Sequence, residues 1–257
     1  MYNEIEVLKQ LKITEDYVSS ALLCKELNVT RTSIWKYINK LRNSGYKIES
    51  ATNKGYKLIN VPDILSYEEV EAYLKTKWIG RNIKYFKEVT STNDLAHEYA
   101  KKGIKNGSLI IAEYQSEGRG KQKIKWHSER QKGIWMSLII YPNGCIEDAK
   151  KIHNIACEAL QLCFKELGIK TNYKFPNAIM INGKKVSGVL TEVHGEIDNL
   201  DWIVVGIGIN CFQQNFNKNI KNKSTSLYNE NYYDISRKKI IAVFAEQFEK
   251  LYTRYIN

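Results

Sequence analysis

The eight residues Gly133-Ile-Trp-Met-Ser-Leu-Ile-Ile140 carry one hydroxyl and otherwise nothing polar. A run this continuous is wrong for an edge strand, so it predicts a strand inside a sheet that must be covered by other elements. The segments around it supply the rest. Asn82 to Glu88 and Leu109-Ile-Ile-Ala112 read as strands, and between them the polar Ser91-Thr92-Asn93 caps a helix that stops at Gly103. Ala149 to Leu167 reads as a helix. Ile179-Met-Ile181 and Val186-Ser-Gly-Val-Leu190 flank Asn182-Gly183, a strong hairpin signal. Trp202 to Ile209 reads as a buried strand ending in Gly206-Ile-Gly208-Ile-Asn210, and a last amphipathic helix places Ile240, Phe244, Phe248, Leu251 and Tyr255 on its inner face. Strands alternating with helices predict a mixed α/β domain over residues 61–257, beginning at Val61-Pro62-Asp63.

The first 60 residues follow another pattern. Ile5, Leu8 and Leu11 lie at helical spacing, a short helix spans Ser20 to Leu27, and Asn28-Val29-Thr30 connects it tightly to a second helix from Arg31 to Asn43. Thr30 is a good N-cap, and Ile34, Ile38 and Leu41 form the inner stripe of the second helix. Arg31, Thr32, Lys36, Asn39 and Lys40 are left facing outward. Gly45-Tyr-Lys-Ile48 and Tyr56-Lys-Leu58 then read as short strands joined by a turn at Asn53-Lys54-Gly55. Two short helices followed by a hairpin predict a winged helix-turn-helix, whose second helix enters a DNA major groove and whose wing turn carries Lys54. Ten Lys or Arg against six Asp or Glu in residues 1–60 suit a polyanionic partner. The whole chain is also basic, with a formal charge of +11. The fold class is therefore α+β, an N-terminal winged helix-turn-helix followed by a mixed α/β domain.

No run of about 18 apolar residues occurs, and Met1-Tyr-Asn-Glu-Ile-Glu lacks the regions of a signal peptide, so a cytoplasmic protein without membrane contact is expected. Cys24, Cys145, Cys157, Cys163 and Cys211 include no Cys-x-x-Cys pair, which predicts buried reduced thiols. His97, His127, His153 and His194 show no metal-ligand spacing, and no Ser-His or Cys-His pairing stands out. The stretch Gln115-Ser-Glu-Gly118-Arg119-Gly120-Lys121-Gln-Lys123-Ile-Lys125-Trp126 follows a strand, and its glycines allow positive φ and close approach to a ligand while Arg and Lys neutralise an anion. By itself it fits a phosphate- or adenylate-binding loop and a solvated basic loop equally.

Six short segments occur in one order: Ser91-Thr92-Asn93, Ala112-Glu-Tyr-Gln115, Gly118-Arg119-Gly120 with Trp126, Lys174-Phe-Pro-Asn177, Asn182-Gly-Lys-Lys185-Val-Ser-Gly188, and Gly206-Ile-Gly-Ile-Asn210. Behind a winged helix-turn-helix, this set resembles the biotin protein ligase family, in particular its bifunctional members, which are also biotin-operon repressors. The resemblance covers nearly the whole chain and implies a ligase domain of the biotin/lipoate type. It implies that ATP and biotin, with Mg2+, give biotinoyl-5'-AMP, and that a lysine of the biotin carboxyl carrier protein then takes the biotin. A homodimer on operator DNA is implied as well.

Carried over by position, the resemblance implies that Ser91, Thr92 and Gln115 hydrogen-bond the ureido ring and neighbouring groups, with Asn93 and Asn210 in the binding set. Gly118, Arg119 and Gly120 close over biotin and adenylate, Lys185 holds the carboxylate and phosphate, Asn177 the nucleotide, and Trp126 stacks on or shields the adenylate. Gly188 and Gly206 leave space for the ligand. Arg119, Lys121 and Lys185 form the catalytic set, supplying positive charge to phosphoryl oxygens rather than a protein nucleophile.

The chain departs from the family pattern at several positions. Lys121 replaces an arginine, Lys123 a glycine, Ile124 a further arginine, and Ala178 a carboxylate near the nucleotide. Lysine keeps the charge but not the bidentate fork. The chain also stops after the helix ending at Tyr255, where most members continue into a small β-barrel. Three readings stay open: a working ligase and repressor, a DNA-binding sensor that binds biotin, an adenylate or a related acyl ligand without efficient turnover, and a related acyl specificity on the same fold.

Overall fold

The computed structural model describes residues 2–142 and 144–255, without the side chains of Tyr2, Asn3 and Lys123. The chain divides into two compact units, Met1–Asp63 and Ile64–Asn257, three residues beyond the boundary expected from the change of pattern at Val61-Pro62-Asp63.

In the first unit, helices α1 (Tyr2–Ile13), α2 (Ser20–Leu27) and α3 (Arg31–Asn43) precede strands β1 (Lys47–Ala51) and β2 (Gly55–Asn60). The local chemistry sets the helix ends. Ser19 Oγ accepts from Leu22 N, Asn28 closes α2 in the left-handed region at φ 50°, and Thr30 Oγ1 accepts from Ser33 N at 3.2 Å. Leu8, Leu11, Leu23, Ile34 and Ile38 are buried together as the core of the unit. The first strand starts at Lys47 rather than Gly45, because Gly45, at φ 101°, forms the turn out of α3. β1 and β2 pair antiparallel, and Val18 bridges Tyr56 beside them.

The second unit comprises α4 (Tyr67–Val70), β3 (Ile83–Phe86), α5 (Thr92–Lys101), β4 (Leu109–Ala112), β5 (Gly133–Ile140), α6 (Ile146–Glu166), β6 (Asn172–Lys174), β7 (Ala178–Ile181), β8 (Lys184–Glu196), β9 (Asn199–Asn210) and α7 (Arg237–Tyr255). One seven-stranded sheet runs β3-β4-β5-β9-β8-β7-β6, with β3 and β4 parallel and the other neighbours antiparallel. β5 is interior and every residue in it is buried. Its two faces differ. Ile134, Met136, Leu138 and Ile140 enter the large core with α6 and α7, whereas Ile139 packs with Ala96 and Ala100 of α5. Ser137, the one hydroxyl in that run, shares the α5 side with Ile139 because strand residues alternate faces.

Three element expectations need correction. α6 begins at Ile146 rather than Ala149, because Asp148 Oδ2 accepts from Cys145 N at 3.0 Å and caps a turn that cysteine does not advertise. β8 continues to Glu196, well past Leu190. Tyr255, expected on the buried stripe of α7, is 50% exposed. α7 is instead anchored by its first residue: Arg237 is fully buried and its Nη1 donates to Glu113 Oε2 at 2.7 Å and to Gly133 O at 2.9 Å. Cys157, Cys163 and Cys211 are buried, while Cys24 and Cys145 are partly exposed, and all five are unbridged.

Candidate functional site

A narrow cavity opens in the second unit where the start of α5, the loop after β4, and strands β8 and β9 meet. Ser91, Thr92, Asn93, Gln115, Arg119, Gly120, Trp126, Asn177, Lys185, Gly188 and Gly206 line it, together with Met136, Val189, Leu190, Ile207 and Gly208. Residues distant in sequence are brought to one place. At about 40 Å³ the cavity by itself admits a few waters.

A chain of hydrogen bonds fixes the wall formed by α5. Thr92 N and Oγ1 donate to Gln115 Oε1 at 2.8 and 3.0 Å, and Gln115 Nε2 donates to Ser128 Oγ at 3.1 Å. Ser137 Oγ lies 2.8 Å from Thr92 Oγ1 and 2.6 Å from Asn93 Oδ1. Asn93 Nδ2 donates to Glu192 Oε2 at 2.7 Å. Glu192 in turn accepts from Arg119 Nε and Nη2, both at 3.1 Å, and Arg119 Nη2 also reaches Asp94 Oδ1 at 2.6 Å. Burial opposes the charge on Glu192, yet the bonds from His97, Arg119 and Asn93 hold its carboxyl down at about 2. Asp94, Ser128, Ser137 and Glu192 carried no sequence signal for this site. Only Ser137, a lone hydroxyl in an apolar strand, could have drawn attention.

The opposite wall holds the cation. Lys185 Nζ stands 5.1 Å from the centre of the Trp126 ring, and among the described residues it has no hydrogen-bond or ion-pair partner. Burial pushes its ammonium below the ordinary lysine value. The backbone around it is pinned, since Lys185 N donates to Lys223 O and Thr225 N donates to Lys185 O. Trp126 Nε1 is buried with no partner among the described residues. A buried ammonium and an unused N–H beside one cavity suit an anionic ligand with a planar or polar edge.

Several expected roles change. A Cβ at Gly206 would lie 2.3 Å from Asn93 Oδ1, at Gly208 2.5 Å from Trp126, and at Gly188 2.8 Å from Lys185 Nζ. These glycines line the cavity and also make room for the chain's own site residues. Gly118 and Gly120 do not take positive φ; Gln122 does, at 58°, and Gly118 is needed because a Cβ would lie 2.9 Å from Gln115 Nε2. Asn210 is buried behind the cavity, donating to Thr225 O and accepting from Gln213, so it shapes a segment instead of lining the site. Asn177 lines the cavity, but its Nδ2 is engaged by Val189 O at 3.0 Å. Lys121 lines an adjoining, more open cavity of about 560 Å³ with Phe175, Pro176 and His153, which shares Asn177, Val189 and Leu190 with the narrow one. Ile124 is 67% exposed and Ala178 is buried in β7, and neither lines the narrow cavity. The side chain of Lys123 lies outside the described residues.

No Cys-His pair was apparent in the sequence, yet α6 brings His153 Nε2 within 3.7 Å of Cys157 Sγ. It is not a nucleophile pair. Burial pushes the Cys157 thiol up to about 11, and His153 bonds Thr191 Oγ1 and Pro176 O.

On the first unit, Arg31, Thr32 and Lys36 are exposed along α3. Lys40 is exposed but ion-paired to Glu4, and Asn39 is half-buried, accepting from Arg42 Nη1 at 3.3 Å. Arg42 ties α3 to the hairpin through Ile48 O and Ser50 Oγ. Lys54 lies over the Tyr17 ring at 5.7 Å. Trp35, unremarked in the sequence, is 56% exposed on α3. No helix among the described residues is long and apolar enough to cross a membrane, and no group of three or more His, Cys, Asp or Glu there could hold a metal ion.

Comparison with known proteins gives a consistent result. Residues 85–210 match the model of the biotin/lipoate A/B protein ligase family, and residues 3–57 match a helix-turn-helix domain. The chain is 37% identical over 245 residues to the bifunctional ligase/repressor BirA of Bacillus subtilis, covering 94% of this chain and 75% of that protein. It is 25% identical to the Escherichia coli protein of the same name, over 90% of this chain and 71% of that one. Among solved structures, the biotin protein ligase of Aquifex aeolicus in complex with biotin and ATP superposes with a TM-score of 0.59 at 26% identity, over 68% of this chain and 72% of that chain.

Proposed function

The chain belongs to the biotin/lipoate A/B protein ligase family, in the branch that carries an N-terminal helix-turn-helix, and from that premise we propose that it is a bifunctional biotin protein ligase and biotin-responsive repressor. Biotin and ATP are its substrates. The ligase joins the biotin carboxylate to the α-phosphate of ATP with loss of pyrophosphate, then passes the acyl group to a lysine of the biotin carboxyl carrier protein.

The observation that carries the site assignment is Lys185. An ammonium buried beside Trp126 with no carboxylate partner among the described residues is suited to a ligand carboxylate and to the phosphate that replaces it. Thr92 and Gln115, already bonded to each other, present a rigid polar wall to the other end of the ligand. Trp126 offers its ring as cover and its Nε1 as a donor. Such chemistry needs fixed positive charge where negative charge develops, and no protein nucleophile. Arg119 is a poor source of that charge here, because two carboxylates already engage it.

Among the described residues no group of three or more His, Cys, Asp or Glu could hold a magnesium ion. Asp94 and Glu192 are engaged by Arg119, and the carboxylate position beside Asn177 is Ala178, so an Mg2+ ion would be carried by the nucleotide phosphates and water. No role of these residues depends on it. Arg31, Thr32, Lys36 and Lys54 are assigned to operator DNA, and a homodimer follows from the two-fold symmetry of the sites such units read. Residues 1–63 would then be the DNA-binding unit, the remainder the ligase unit, and the cytoplasm their location.

Of the positions that raised the sensor reading, Ile124 and Ala178 stand outside the narrow cavity and the side chain of Lys123 lies outside the described residues, and no observation favours that reading over the enzyme. Incubation with biotin, Mg·ATP and an acceptor carrier domain tests the proposal. Release of pyrophosphate with a mass increase on the acceptor supports it, and the absence of both overturns it.

A further inference from the structure

Between Gly118 and Lys125 the loop over the cavity is bonded mainly to itself: Gly120 N donates to Ile124 O, Trp126 N donates to Gly118 O, both at 2.8 Å, and Arg119 bridges Lys125. Among the described residues of that segment, Arg119 is the one side chain with hydrogen bonds or ion pairs outside it. We propose that Glu192, with Asp94, is a positioning residue that latches Arg119 and so holds the loop closed over the ligand cavity.

The latch is built rather than incidental. Glu192 accepts from Arg119 on both oxygens, from Asn93 at 2.7 Å, and faces His97 Nε2 at 3.5 Å. Each of those partners is itself fixed. Trp202 Nε1 donates to His97 Nδ1 at 2.9 Å, which puts the ring proton on Nε2, toward Glu192. His194 stacks on Trp202 with centroids 4.0 Å apart. Asn93 is held by Ser137 of β5 and sits in the space left by Gly206. Asp94 belongs to the first turn of α5, so the sheet and the helix hold one guanidinium between them.

Two carboxylates on one guanidinium leave its charge spent, so Arg119 works here as a fastener while Lys185 supplies the charge. The loop forms one wall of the narrow cavity through Arg119, Gly120 and Trp126, and one side chain ties it to the helix and sheet opposite. The latch then sets the rates at which ligand enters and leaves. Its functional consequence rests on the ligase reading, but the latch itself is a property of the free chain.

The test is a double-mutant cycle in the full-length protein, using Glu192→Gln, Arg119→Met and the pair. Hydrogen–deuterium exchange of the segment 116–126 is read without ligand, and the dissociation rate of a non-hydrolysable biotinoyl-adenylate analogue is read with it. Each single change is expected to speed loop exchange and analogue release about tenfold, the size of one lost charge-assisted hydrogen bond. The pair is expected to behave like Arg119→Met alone, because Glu192 acts through Arg119. Unchanged loop exchange in Glu192→Gln, or effects that add in the pair, would overturn the proposal. If Glu192→Gln lowers the melting temperature, Asp94→Asn puts the same question from the exposed side. A protein that shows the latch but binds neither biotin nor the analogue overturns the ligase reading and leaves the latch standing.

Discussion

Lys185 and Glu192 show how burial gives two charged side chains opposite work. Lys185 has no counter-ion among its described neighbours, so Lys185→Met should weaken adenylate binding about tenfold or more by calorimetry, matching the loss of a charge-assisted bond of roughly 1.5–3 kcal/mol. Since burial lowers its pKa, affinity for an anionic ligand is full while the ammonium is charged. It falls as pH rises through that lowered value, and Lys185→Met should remove this alkaline limb. Glu192 behaves the other way. Its folded value of about 2 lies below the ordinary 4.5, so it stabilises the fold above the ordinary value and the contribution is lost as pH falls from about 4.5 toward 2. Urea melts should show Glu192→Gln losing stability relative to the native chain at pH 6, with a smaller difference at pH 3.

At the scale of the element, α3 separates charge available to a partner from charge already used. Lys36 and Lys40 both face outward, but Lys40 is paired with Glu4 of α1. Lys36→Ala should reduce the slope of log K against log salt for operator binding by about one, whereas Lys40→Ala should leave that slope nearly unchanged. Filter binding or anisotropy across a salt series measures both, and equal slopes for the two variants would refute the distinction. The loop from Gln115 to Trp126 makes a related point. Its glycines were expected to relax the backbone, yet Gly118 avoids a clash with Gln115, and the positive φ falls on Gln122.

For the molecule as a whole, the second unit closes where α7 meets the sheet. Arg237 joins α7 to Glu113, just after β4, and to Gly133, the first residue of β5; the 115–132 segment that carries half the site runs between them. Tyr85 also donates to Glu113, at 3.1 Å. Removing one partner of a buried ion pair leaves an uncompensated charge, so Arg237→Met should cost about 3–5 kcal/mol in urea unfolding of the second unit. Ligand affinity at low temperature should fall with it, because the loop ends lose their anchor.

Much of this protein was legible without coordinates. The limits of α2, α3, β4 and β5 follow from caps and apolar runs, because Thr30, Asn28 and the continuous 133–140 stretch act on their own neighbours. The cavity lining was also largely legible, because the short motifs supply most of the residues that line it. What the sequence could not state was how charges pair. Asp94, Glu192, Glu4 and Glu113 are ordinary carboxylates in the chain, and only the packing of α5 and the loop after β4 against the sheet, of α1 on α3 and of α7 on the sheet selects their partners. The same holds for Gly206 and Gly208, whose missing side chains make room for Asn93 and Trp126. Local pattern determines which elements form, because propensity, capping and turn chemistry act over a few residues. Partner choice among buried polar groups was decided by tertiary structure, because desolvation makes each such group depend on whichever atom packing places within about 3 Å.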